Sequence, residues 1–161
     1  MTESCKRKIF VFSAVVILIL AFAYFFPKSL EDRLSLTLDE SCVIQIRYDE
    51  IVFNSGKPNE IVTYQAECNL ENGLIDEAIK LFEGTKTISH PVNLLPWKIS
   101  KWDGFDITIA IANPAGTGEW MHFDKKEILI SQDEFKVYRI TNKDFANKVV
   151  EFVKEQGTVM E

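Results

Sequence analysis

Residues 42–68, CVIQIRYDEIVFNSGKPNEIVTYQAEC, decide how this chain is read. Two runs rich in β-branched and aromatic residues, 42–53 and 57–68, flank Asn54-Ser55-Gly56, and that punctuation predicts a β-hairpin. A three-residue loop with glycine at its left-handed third position would pair Phe53 with Lys57. Ile44 then faces Ala66, Ile46 faces Tyr64 and Tyr48 faces Val62 on one apolar face. Gln45–Gln65 and Arg47–Thr63 share the polar face, as in a half-buried antiparallel pair. Cys42 falls opposite Cys68 at a non-hydrogen-bonded pair, where side chains approach most closely, so this register predicts a disulfide. Such a bridge would stabilise by about 3 kcal/mol in the chain-entropy model; two buried free thiols are the alternative. One pair resists the pattern. Glu50 would face Glu60, a repulsion that a bulge around Asp49-Glu50 or a shifted turn would relieve.

C-terminal to the hairpin, LENGLIDEAIKLFEG (70–84) repeats Leu74, Ile75, Ala78, Ile79 and Phe82 at helical spacing and ends at Gly84. Residues 85–104 hold two prolines and little periodicity, and read as a long connection. Residues 105–112 alternate cleanly, and 119–123, 127–131 and 135–140 continue as a meander. Thr141-Asn142-Lys143-Asp144 has the form of a capping box, with Ile140 and Phe145 at the staple positions. Phe145, Val149, Phe152 and Val153 form the apolar stripe of a closing helix that Gly157 ends.

N-terminal to the hairpin, residues 9–26 (IFVFSAVVILILAFAYFF) carry no charge and follow Lys6-Arg7-Lys8. At about 1.5 Å per residue an 18-residue helix reaches roughly 27 Å, and the basic residues favour a cytoplasmic N-terminus. Retention as an anchor is favoured because Tyr24-Phe25-Phe26 prolong the apolar stretch. Cleavage as a signal peptide at Ala23, after the A-x-A form Ala21-Phe22-Ala23, is the competing fate. The only cysteine near this stretch, Cys5, precedes it, so the lipoprotein route is excluded by position.

The expected architecture is therefore an α+β fold: an N-terminal transmembrane helix, then an antiparallel sheet (hairpin plus meander) covered on one face by two helices. Its parts are a cytosolic N-terminus (1–8), the anchor or signal peptide (9–26), a juxtamembrane segment (27–41) and an extracytoplasmic domain (42–161). Residues 29–161 hold 14 Lys plus Arg against 23 Asp plus Glu, a balance of −9. Such a domain repels phosphate polymers, so nucleic acid and anionic lipid surfaces are not expected partners, whereas a surface protein or a cationic peptide is compatible.

A hairpin, DEAIKLFEGTK, the meander FDITIAI…EWMHF…EILIS…FKVYRI and KDFANKVVEFVKE together resemble the small extracytoplasmic domains of Gram-positive bacterial membrane proteins and lipoproteins. The resemblance covers residues 42–156. It implies an extracytoplasmic module and carries over no catalytic residue, and the absence of a lipobox departs from the lipoprotein members.

No catalytic, metal or cofactor motif stands out. His122 and Asp124 would share a strand face, but two ligands do not make a metal site. No G-x-S-x-G or C-x-x-C occurs, and Gly116-Thr117-Gly118 lacks a Walker lysine. The aromatic residues Trp97, Trp102 and Trp120, with Lys98 and Lys101 and flanked by Phe105 and Phe123, form the expected recognition surface. The functional expectation is a membrane-anchored extracytoplasmic protein, a non-catalytic binding or accessory module at the bacterial cell surface. A cell-envelope hydrolase and an immunity-type protein against a cationic peptide are the competing classes.

Overall fold

Nine strands hydrogen-bond into one antiparallel sheet in the computed structural model, which describes residues 3–53, 60–94, 106–124, 126–131 and 135–160, with side chains from Ile9 onward. The strands are β1 (Lys28–Ser29), β2 (Val43–Val52), β3 (Glu60–Cys68), β4 (Lys86–Ser89), β5 (Ile107–Ala112), β6 (Gly118–Phe123), β7 (Glu127–Ser131), β8 (Phe135–Ile140) and β9 (Thr158–Met160). Helices α1 (Glu3–Phe25), α2 (Ile75–Phe82) and α3 (Phe145–Gln156) accompany them. The order across the sheet is β1-β4-β8-β7-β6-β5-β2-β3-β9.

This architecture corrects the expected one in two respects. The domain is dominated by a single large sheet, because three strands join the hairpin and meander. β4 lies inside the proline-containing stretch expected to be a plain connection, and it pairs with β8 and β1. β9 follows Gly157 and extends the hairpin at β3. Each of the three is four residues or fewer, too short to show a period of two.

The second correction concerns the apolar run. Among the described residues no helix is long and apolar enough to cross a membrane, so the transmembrane helix is withdrawn. Pro27 disfavours helical geometry at Phe26, and α1 ends at Phe25. From Ile9 to Phe25 the helix rises about 25 Å, against roughly 30 Å of hydrocarbon.

The hairpin register also differs from the expected one. Val52 pairs with Glu60, Tyr48 with Tyr64, Ile46 with Ala66 and Ile44 with Cys68. The shift is two residues, so every side chain keeps its face while every partner changes. Glu50 now faces Val62 rather than Glu60, which removes the repulsion. Glu50 instead accepts a 2.8 Å hydrogen bond from Lys154 of α3, whose ammonium lies 5.5 Å and 5.2 Å from the stacked rings of Tyr48 and Tyr64. The expected turn residues Asn54, Ser55 and Gly56 lie outside the described residues.

The shift also withdraws the disulfide. Cys42 precedes β2, Cys68 is paired with Ile44, and both thiols are free and buried. The Cys42 thiol donates to the Thr37 carbonyl at 3.5 Å. Burial, aided by Glu67 and Glu77, pushes the Cys68 thiol up to about 11 from an ordinary 9.0. A folded-state pKa raised in this way contributes stability fully below about pH 9, lost as the pH rises toward 11. Stability in denaturant titrations is expected to fall across that window, and Cys68→Ala to flatten the fall. Both cysteines are expected to resist thiol reagents until the domain unfolds; a mass two hydrogens lighter, showing a Cys42–Cys68 bridge, would contradict the fold.

One face of the sheet carries the core. Ile44, Ile46, Ala66, Ile109, Met121, Phe123 and Ile128 point there, against Ile75, Ala78 and Phe82 of α2 and Phe145, Val149 and Val153 of α3. The α3 start differs from a capping box. Asn142, rather than Thr141, accepts the Asp144 N–H, and the Thr141 hydroxyl donates to the Lys86 carbonyl of β4. Gly157 is required by proximity rather than by its dihedral angles: a Cβ there would lie 2.3 Å from the Val153 carbonyl oxygen and 2.8 Å from that of Gln65.

The segment joining α1 to β2 is built into the domain. Leu30 is fully buried and donates its N–H to Thr85, and Leu36 is buried too. Both oxygens of Glu119, a buried carboxylate on the core face of β6, accept the Ser35 N–H at 2.9 and 3.0 Å.

Candidate functional site

Of the expected recognition residues, Trp120 and Phe123 are placed. The Trp120 side chain is half exposed on the face away from the core, opposite Ala110 and Ser131. Trp97, Lys98, Lys101, Trp102 and Phe105 lie outside the described residues. Phe123 is not part of an exposed patch: it is fully buried, with its ring 5.2 Å from that of Phe145. Strand alternation puts it on the opposite face from Trp120.

His122 hydrogen-bonds Thr108 through Nδ1 at 3.1 Å, and burial lowers its pKa. Asp124 is a turn residue, accepting the N–H groups of Lys126 and Glu127. Other carboxylates are likewise committed to the fold. Asp49 bonds Thr63 and Arg47, and Asp39 caps the turn at Ser41, whose hydroxyl and N–H hold its carboxyl below the usual range.

The described structure does form a pocket that no sequence motif announced. It has a volume of about 540 Å³ and lies where α1 meets the sheet. Leu20, Ala23 and Tyr24, from the last turns of α1, make one wall. Lys28 of β1 and Arg33 of the following turn make the second, and Ser89, Asn93, Phe135, Lys136 and Tyr138 close it from the sheet side. A larger hollow of about 600 Å³ is lined by α1 side chains alone; it is the open space between them and encloses nothing.

Each wall is positioned by a local cause. β1 pairs with β4 through Lys28–Thr87, which fixes the chain as it leaves α1. The Ser29 hydroxyl accepts the Asp32 N–H and shapes the turn that returns Arg33 toward the sheet. Arg33 donates to Thr87 Oγ1 at 3.2 Å, and its guanidinium sits 4.6 Å from the centre of the Tyr138 ring. The Asn93 side chain both donates to and accepts from the backbone of Val137, as a strand residue would, and so secures the far wall.

The electrostatics of this pocket oppose those of the whole chain, whose net charge is −6. Three cations line it and, among the described residues, no carboxylate does. Lys28 and Lys136 make no ion pair among the described residues. Two buried hydroxyl-bearing residues also line it: Ser89 and Tyr138 are direct cross-strand partners, each 6 % exposed. Neither hydroxyl has a hydrogen-bond partner among the described residues. Burial holds the Tyr138 phenol above its ordinary pKa, with Arg33 acting in the opposite direction. It is therefore a neutral donor at physiological pH.

Comparison with family models, with curated proteins and with solved structures gives no match to this chain.

Proposed function

We propose that this protein is a membrane-associated extracytoplasmic module that acts by binding, with α1 embedded in lipid and the sheet domain presented beside it. One observation carries the proposal. α1 exposes large apolar side chains around its whole circumference, among them Phe10, Phe12, Leu18, Leu20 and Phe22, each at least 64 % exposed. A helix apolar on every side needs an apolar surrounding, since each such side chain costs about 1.5–3 kcal/mol to leave in water. The proposal asks for insertion and makes no claim of a complete crossing. Lys6-Arg7-Lys8 ahead of the apolar run has the charge order of exported chains, which supports the extracytoplasmic side.

The test is flotation of the full chain, exchanged from detergent into vesicles of neutral phosphatidylcholine. The wild-type chain is expected to float with the vesicles. Leu18→Lys combined with Phe22→Lys is expected to remain in the dense fraction while keeping the domain's thermal unfolding unchanged. A wild-type chain that stays monomeric and vesicle-free without detergent would overturn the proposal.

A further inference from the structure

We infer that the pocket at the foot of α1 binds the phosphate headgroup of an anionic phospholipid. The inference rests on the membrane-associated reading above and adds to it a ligand class and a site. Four observations converge on an anionic amphiphile. Lys28, Arg33 and Lys136 bring three positive charges to one cavity in a chain of net charge −6. Charge-assisted bonds from such groups to phosphate oxygens are about twice as strong as neutral ones.

Ser89 and Tyr138 line the same cavity; both are buried, and their hydroxyls have no partner among the described residues. A buried hydroxyl left unpaired costs free energy, and native folds rarely keep two side by side without a ligand or water to satisfy them. Phosphate and glycerol-ester oxygens are acceptors that suit both. The opposite wall, Leu20, Ala23 and Tyr24, belongs to α1, where the neighbouring Ile19 is also exposed. A ligand with its charge on the sheet side can therefore lay its acyl chains along α1. The volume of about 540 Å³ is in the range of small-molecule sites and exceeds what a bare phosphate would fill.

Free phosphate shares the headgroup chemistry but not the apolar half. The same cations would hold it, yet nothing about it would use the α1 wall.

The experiment titrates the full chain, in micelles of a neutral detergent, with phosphatidylglycerol or phosphatidylcholine, and reads bound lipid by native mass spectrometry and by thermal shift. One phosphatidylglycerol is expected to be retained per chain, with phosphatidylcholine held much more weakly. Lys28→Gln combined with Lys136→Gln is expected to lower phosphatidylglycerol affinity about 30-fold, taking each lysine at about 1 kcal/mol. Both side chains lie at exposed positions, so the fold is expected to persist. Ser89→Ala combined with Tyr138→Phe separates a binding role from a structural one. It is expected to raise the melting temperature of the lipid-free chain while shrinking the lipid-induced shift.

Equal retention of the two lipids, or unchanged phosphatidylglycerol affinity in the double lysine variant, would overturn the inference. So would displacement of the lipid by millimolar inorganic phosphate, which would mark a simple anion site. None of these outcomes depends on flotation with neutral vesicles, which tests α1 alone.

Discussion

Phe145→Ala is expected to lower the stability of the domain by about 3–5 kcal/mol, a drop in melting temperature of roughly 10–20 °C. Phe145 is the first residue of α3 and is fully buried. Its ring lies 5.2 Å from Phe123 of β6 and 6.3 Å from Phe82 of α2, so one side chain joins the sheet to both helices that cover it. Truncation removes the transfer free energy of the ring and leaves a cavity whose walls belong to three separate elements. A cavity of that kind collapses poorly, which places the cost at the upper part of the range for buried aromatics. Phe135→Ala is the matched control. Phe135 is 57 % exposed, and its loss is expected to change stability by less than about 0.5 kcal/mol. Urea unfolding of both variants checks the pair. Equal midpoints would mean that the ring cluster does not hold the helices to the sheet.

Phe145 was legible in the sequence, because an apolar stripe at helical spacing follows a strand there. The faces of β2 and β3 were legible for a similar reason: a shift of two residues leaves alternation intact, so Ile44, Ile46 and Ala66 point to the core in either register. Partners are another matter, since they depend on loop length. The three-residue loop after Phe53 was an assumption about turn type, and the Glu50–Glu60 clash was the visible sign against it. The disulfide rested on that same assumption and fell with it. β4 and β9 were hidden because each is too short for periodicity and borrows its pairing from a distant strand.

The pocket was hidden for a further reason. Lys28 and Lys136 are separated by most of the chain, and only the pairing β1–β4–β8 brings them to one cavity. No local pattern encodes such a meeting. The juxtamembrane segment also carries leucines at 30, 34, 36 and 38. Leu30 and Leu36 are core residues, with Leu34 and Leu38 packed against them. The segment that carries Arg33 into the pocket is thus part of the folded domain.

Ser35→Pro tests how firmly that segment is held, and it is expected to cost about 2–3 kcal/mol, whereas Ser35→Ala costs under about 0.5. The difference isolates a single N–H. Alanine keeps the backbone donor that both Glu119 oxygens accept, and proline removes it. Leu34 is already extended, at φ −79° and ψ 148°, as a residue before proline prefers. The cost falls on the carboxylate rather than on the amide. Ser35 lies at the surface, where water replaces a lost acceptor, but Glu119 is 1 % exposed and would be left as a buried charge without its donor. Glu119→Leu removes that charge. In its presence Ser35→Pro is therefore expected to add little, giving a coupling of roughly 2 kcal/mol in the double-mutant cycle. Hydrogen exchange should show the amides of residues 30–36 losing protection in Ser35→Pro alone, and lipid retention should fall with them because Arg33 shares that segment. If Ser35→Pro proves no more costly than Ser35→Ala, the Glu119 bond does not secure the segment, and β1 and Leu30 must hold the pocket wall by themselves.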